Sequence, residues 1–249
     1  LGPKKQDSSK NTKKLDLIIK NILVENGNVT INNHNGTPLF NGKNVNIKLT
    51  DIKQSEDASK IPLAFKDFKV DAQDVIITAN EFYRIDAKKI EAKNRTLLLD
   101  QFHLKPLQIA RYYDSKNVFD LSAQSLSATD FVVSQDSLIV SKIQFFFFFL
   151  KVNSTGKKTV EKDPKDLDLK IGVKNLDFQQ GKVLVLKKKK KKTASVDQFN
   201  FTLSDIVFDK NTVKEKIPFH FGNHDIEAEN IYFKTDAQHA IKINKINSA

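Results

Sequence analysis

Apolar residues fall at every second position along most of this chain. Leu15, Leu17 and Ile19 begin the pattern. Val29/Ile31, Val45/Ile47/Leu49, Leu97/Leu99, Phe131/Val133, Leu138/Val140, Val183/Val185, Phe199/Phe201/Leu203 and Ile241/Ile243 continue it. A period of two sets these side chains on one face of an extended strand and their Lys, Asp, Asn and Thr neighbours on the other. Turn-forming groups stand between the runs: Glu25-Asn26-Gly27-Asn28, Asn35-Gly36, Asn41-Gly42, Gln180-Gly181, Asp209-Lys210-Asn211 and Gly222-Asn223. The pattern predicts an antiparallel meander of strands roughly 5–8 residues long. Gly27 and Gly181 are expected in equivalent hairpins, where a positive φ favours glycine. The best helical segment is short, Pro106 to Tyr113, with proline in its first turn.

The pattern also repeats on a longer scale. Ile61–Ile90 aligns without a gap on Ile217–Ile246, with seven identities. Upstream, Lys20–Ile31 falls on Lys174–Val185 and Asn44–Ile52 falls on Gln198–Ile206. The offset is 154 residues in these two blocks and 156 in the first. Three collinear blocks at nearly one offset mark a tandem duplication, and such a chain stacks units instead of wrapping one core. The organisation read from this is a polar tail over 1–14, opening on a Leu1-Gly2-Pro3 cloning scar; a first β-unit over 15–153; a polar linker over 154–166 holding Gly156 and Pro164; and a shortened second unit over 167–249. A unit cut short at Ala249 reads as a fragment of a longer protein.

One-sided strands leave a dry face that must be covered by a second sheet, by the sheet curling on itself, or by an apolar ligand. The fold expected is therefore all-β: an elongated, curved antiparallel sheet, or β-groove, built from tandem repeats with little helix.

Composition narrows the chemistry. The 249 residues carry no Cys, so disulfides, thiol nucleophiles and Cys-based metal sites are excluded. Net charge is +11, from 38 Lys against three Arg (Arg84, Arg95, Arg111). Bidentate reading of bases and phosphates favours arginine, so nucleic acid is not the expected partner. A lysine excess suits anionic lipid headgroups, and it also follows from an AT-rich genome with no function attached. No stretch reaches the ~18 apolar residues needed to cross a bilayer as a helix; the closest is Ile143–Val152.

No catalytic or metal pattern emerges. His34 and His103 are isolated, and Gly222-Asn223 sets a turn between His220 and His224. The duplicated Asp51 and Asp205 read as strand ends or Asx turns. Nucleophile-elbow, Walker and dinucleotide fingerprints are missing. The reading is non-enzymatic, with no cofactor.

Two homopolymers have alternative readings. Phe145–Phe149 is a strand buried on both sides, or one whose Phe145, Phe147 and Phe149 line an apolar channel while Phe146 and Phe148 face another layer. Lys187, Lys188, Lys189, Lys190, Lys191 and Lys192 form a solvated hairpin loop, or a contact with an anionic membrane surface worth about 1 kcal/mol per lysine. The run has no lysine-rich counterpart in the first unit and reads as an elaboration of its hairpin. The candidate lipid-binding set is Ile47, Leu49, Phe145, Phe147, Phe149, Val183, Val185, Phe199 and Phe201.

The sequence of a K-N-[IL]-x-[VF]-x-x-G-x-[VL] segment (from Lys20 and Lys174), an N-[IF]-x-L-x-D-I strand (to Ile52 and Ile206) and an I-P strand leading into [DE]-A-x-[DN] (Asp71–Asp74, Glu227–Asn230) resembles AsmA-like envelope proteins of Gram-negative bacteria. These are relatives of TamB and YhdP and, more distantly, of the chorein-type bridge-like lipid transfer proteins. Leu104–Phe131 carries a similar proline-marked stretch. The resemblance implies a periplasmic β-groove, tethered at the inner membrane by an N-terminal helix that this sequence lacks. The implied groove carries acyl chains between membranes or supports outer-membrane homeostasis, with lipid, a membrane surface or other envelope proteins as partners. The competing expectation is a structural or adhesive β-repeat protein whose lysine face binds an anionic polymer or a protein.

Overall fold

A computed structural model describes residues 18–54, 63–107, 117–134, 136–155, 170–187, 191–212, 219–236 and 238–248. The described strands are β1 (Ile18–Asn32), β2 (Pro38–Gln54), β3 (Leu63–Ala64), β4 (Asp67–Thr78), β5 (Tyr83–Lys93), β6 (Thr96–Pro106) and β7 (Asn117–Thr129). They continue with β8 (Val132–Val133), β9 (Ser137–Ser154), β10 (Lys170–Lys187), β11 (Lys191–Phe208), β12 (His224–Lys234) and β13 (Ala240–Ser248). All belong to one open sheet ordered β1-β2-β4-β5-β6-β7-β9-β10-β11-β12-β13, with β3 on β2 and β8 on β9. The all-β, mostly antiparallel sheet expected from the alternation is present, and no α-helix occurs among the described residues. Of the helical segment, Pro106 ends β6 and the N–H of Leu107 donates to the carbonyl of Phe82 at 2.8 Å. Gln108–Tyr113 lies outside the described residues.

The strands are far longer than the turn signals suggested: β9, β10 and β11 each run 18 residues. Asn26-Gly27, Asn41-Gly42 and Gln180-Gly181 lie inside strands, not in hairpins. The left-handed residues are Asn26 (φ 52°) and Gln180 (φ 52°), one before each matched glycine. The register slips at both places, between Val24 and Gly27 on β1 and between Phe178 and Gly181 on β10. The Gly-containing pairs are thus β-bulges, which let a strand bend without ending.

Left-handed residues line up across the sheet. Gln73, Lys89, Asp100, Ser125, Phe146 and Gln179 form one lateral row of facing residues. Immediately after four of them come left-handed Asp74, Gln101, Phe147 and Gln180. The strand pairing keeps its register through this row. Asn, Asp and Gln fill the belt except at Phe147 (φ 48°), since short polar side chains tolerate this region better than bulky ones. Asp51 (φ 49°) and Asp205 (φ 52°) are also left-handed residues inside β2 and β11, so neither ends a strand.

Pairing reproduces the duplication residue by residue. Val24 faces Ile47 and Gly27 faces Val45 on β1·β2; Phe178 faces Phe201 and Gly181 faces Phe199 on β10·β11. Further along, Asn32 faces Pro38 and Leu186 faces Lys192. The lysine hairpin therefore closes in the same register as its counterpart and is no elaboration in length. The polar ties repeat as well. The side-chain oxygen of Asn46 accepts the N–H of Asn26 at 2.9 Å, and its amide donates to Asp71 at 2.7 Å. Asn200 likewise accepts from the N–H of Gln180 at 2.8 Å and donates to Glu227 at 3.1 Å.

One junction breaks the antiparallel rule. β10 runs parallel to β9, from Lys170↔Ser137 to Leu186↔Asn153. Between β1 and β10 lie six strands on the sheet path, so the seventh step starts the next unit. Strict alternation over seven strands would reverse the second unit. The parallel step restores β10 to the direction of β1, and it needs a long connection instead of a hairpin. The polar stretch expected as a linker, 154–166, falls in that connection; beyond Thr155 it lies outside the described residues. The sheet is continuous through both units.

Candidate functional site: the apolar face of the sheet

Because every strand alternates, the apolar rows merge into one face. Its centre is a cluster of Ala87 on β5, Leu99 and Phe102 on β6, Ala123 on β7 and Phe148 on β9. Phe145, Leu150, Phe178, Val183 and Phe199 pack against it. A second cluster, Val45, Ala72 and Val75, gathers Val29, Phe40 and Ile47 at the β1 side. Aromatic rings pave the middle: Phe145 stacks on Phe178 at 4.6 Å, Phe201 lies 6.4 Å from Phe178, and Phe199 and Phe201 are 5.9 Å apart. Substantial packing runs only between strands adjacent in the sheet. Among the described residues, no second sheet and no helix lies over this face.

Seven of the nine candidate residues lie on the apolar rows. Ile47 packs with the second cluster, and Phe145, Val183 and Phe199 pack with the first. Phe201 joins the stacked rings, while Leu49 and Val185 are half-buried on the same rows as Ile47 and Val183. Phe147 and Phe149 are not among them. They are 51% and 41% exposed and flank Phe148, which is 3% exposed. The reason is the left-handed backbone at Phe147, which slips the alternation by one residue with no shift of register, so Phe145 and Phe148 face the same way. Phe147 instead packs edge-on against Phe146 at 4.4 Å. Phe148, expected to face another layer, is the most buried ring of the central cluster. Sequence reasoning also missed Phe102 and Phe178. A signal was available in Gln101 and Gln180, polar residues interrupting an apolar alternation.

The lysine run divides. Lys187 faces Lys191 across the hairpin, and Lys188, Lys189 and Lys190 lie outside the described residues. The ammonium of Lys192 sits 4.9 Å from the centre of the Tyr232 ring, within cation–π reach. Lys187, Lys191, Lys192 and Lys234 line a cleft of about 420 Å³ with Thr193, Thr235 and Asp236. Among the described residues, Asp236 is the only carboxylate lining it. The N–H of Gln238 and then the His239 side chain hold its carboxyl below the usual carboxylate range. Four lysines against that one carboxylate leave the described lining net positive.

Among the described residues, no group of three His, Asp or Glu side chains comes together as a metal ion requires, and no helix is long and apolar enough to cross a membrane. His103 Nε2 lies 2.7 Å from Asp120 on the polar face, away from the apolar cluster. No family model, curated protein or solved structure matches the chain.

Proposed function

We propose that this protein is a non-enzymatic β-groove unit of the AsmA-like kind that holds or conducts lipid acyl chains along its apolar face. The observation that carries the reading is a single-layer sheet, apolar on one face in every long strand, with no second element over that face among the described residues. Burying an acyl chain there gains about 0.8 kcal/mol per CH₂. A few methylene groups therefore outweigh the weak polar contacts of a headgroup, and the groove selects chains over headgroups. The basic cleft at the Lys187–Lys191 hairpin supplies counter-charge for phosphate headgroups or an anionic membrane at one end of the sheet. A periplasmic setting with an inner-membrane tether belongs to the same proposal.

A second reading draws on the rings themselves. Phe145, Phe178, Phe199 and Phe201 stack on one another and Phe148 is closed off from solvent. This favours a structural β-repeat whose dry face is filled by its own side chains. Mass spectrometry of an organic extract of the purified protein separates the two. Stoichiometric phospholipid supports the groove; a lipid-free extract, with no uptake of fluorescent fatty acid, supports the structural repeat.

A further inference from the structure

The face opposite the apolar rows carries a doubled row of its own. On β6, Leu99 and Phe102 both reach the central apolar cluster, so Asp100 and Gln101 between them both point the other way. Ala87/Ile90 on β5, Ala123/Leu126 on β7 and Phe145/Phe148 on β9 repeat the spacing. Ala72/Val75 repeats it on β4, in the second cluster. Strict alternation would show this face one of every two adjacent residues. Here the neighbouring strands β4, β5, β6, β7 and β9 each show it both. The result is a transverse band, hollowed by an open cavity of about 500 Å³ lined by Gln73, Lys88, Lys89, Asp100, Gln101 and Gln124.

The lysines of the cavity are matched within the protein. The Lys88 ammonium donates to Asp74, and Lys89 pairs with Glu91. The exposed amides of Gln101 and Gln124 are different: among the described residues neither has a side-chain hydrogen-bond partner. Each amide offers donor and acceptor side by side in one plane, a match for two adjacent hydroxyls. Next to Gln124, between the pairs Ser125↔Phe146 and Ala123↔Phe148, stands Phe147. Its ring is 51% exposed, and Phe146 braces it edge-on at 4.4 Å. Among the described residues, every other left-handed position except glycine holds Asn, Asp or Gln; only here is a bulky side chain held at φ 48°. Backbone strain of this kind collects at ligand sites, and a half-exposed ring adds little burial in return.

We propose that this band binds a neutral, extended oligosaccharide laid across the strands. Neighbouring strands are about 4.8 Å apart, close to the length of one sugar unit in an extended β-1,4-linked chain. Strands β4 to β9 therefore match a chain of about five units. The amides of Gln101 and Gln124 exchange hydrogen bonds with ring hydroxyls, and Phe147 stacks on the apolar C–H face of one sugar. A few convergent polar groups beside an aromatic surface fix such a ligand's orientation. Each lysine already holds a carboxylate, so the site favours uncharged sugars over polyanions. The band lies on the far side of the sheet from the acyl-chain face and does not depend on that reading.

The test is isothermal titration of the whole protein with cellohexaose and chitohexaose. At least one of these extended chains is expected to bind. Maltohexaose, whose α-linkages coil the chain, should bind about tenfold more weakly or worse. Gln124→Ala should weaken binding about fivefold, the loss of one hydrogen bond. Phe147→Asn should weaken it about tenfold, the loss of the stacked ring. Both variants keep the sheet: Gln124 is exposed, and asparagine is a residue type that left-handed positions accept. Thermal midpoints no lower than the parent's separate lost binding from lost fold. Failure of both extended hexasaccharides to bind overturns the inference, as does binding that both variants leave unchanged or that maltohexaose equals. Uptake of dextran sulfate in place of the neutral sugars, abolished by salt, overturns it too, since the lysines alone would then be the attraction.

Discussion

Phe148 lies across Gly181 so closely that a Cβ built on the glycine would come within 1.9 Å of the ring. The two residues sit on the parallel strands β9 and β10, and their contact joins the first unit to the second. Gly181→Ala should push the ring out of the central cluster and cost about 1–3 kcal/mol, the usual range for overpacking. The matched Gly27 has no such neighbour, its nearest side-chain atom being 3.5 Å from the built Cβ. Gly27→Ala should be neutral within about 1 kcal/mol. Denaturation midpoints of the two variants check the contrast.

Phe147 is the one bulky residue in the left-handed belt, and it is half exposed. Phe147→Asn places there the residue type found at Asn26, Asn44 and Asn230. Relief of a strained backbone costing about 1–3 kcal/mol should exceed the loss of its contact with Phe146. Thermal unfolding should move to higher temperature; a fall would show that the ring supports the sheet.

Asn46 and Asn200 hold their bulges identically, each tying a strand backbone to an acidic side chain two strands away. Asn46→Ala and Asn200→Ala should each destabilise by about 1–2 kcal/mol, the cost of leaving partners unmatched. They share no partner, so the double variant should show the sum within about 0.5 kcal/mol. Urea titration of the three proteins tests this.

The pH dependence follows from Glu227. Hydrogen bonds from Lys245 and then Asn200 hold its carboxyl below the usual 4.5, and Lys245 is raised above 10.5, chiefly by Glu227. A depressed acid stabilises fully above its unfolded value and loses that contribution as pH falls through the folded one. A raised lysine contributes fully below 10.5 and loses it as pH climbs further. Stability should therefore decline on the acid side below about pH 4.5 and on the alkaline side above about pH 10.5, and Glu227→Gln should flatten both limbs. Denaturation midpoints against pH measure it.

The basic cleft predicts salt-sensitive attachment to anionic vesicles. Lys191→Gln, Lys192→Gln and Lys234→Gln should each weaken binding to phosphatidylserine vesicles about fivefold, from roughly 1 kcal/mol per lysine. The effect should vanish at high ionic strength, where exposed charges are screened. Equal binding by the triple variant in a sedimentation assay would remove the cleft from the proposed mechanism.

Much of this architecture is legible in the chain. Period-two alternation at Val45/Ile47/Leu49 and Phe199/Phe201/Leu203 determined strand type and dry face, because a strand's side chains can point only two ways. The duplication determined more: Val24 pairs with Ile47 as Phe178 pairs with Phe201, since equal spacings between equal residues force equal registers. Tertiary structure decided the rest. Asn26-Gly27 and Gln180-Gly181 look like hairpin turns locally, and only the neighbouring strands convert them into bulges within long strands. The slip at Phe147, which sends Phe148 inward and Phe149 outward, depends on pairing with β7 and β10 and has no local signature. The parallel step from β9 to β10 was equally hidden, because strand direction is set by a balance over the whole unit, and no short stretch of residues encodes a count of seven.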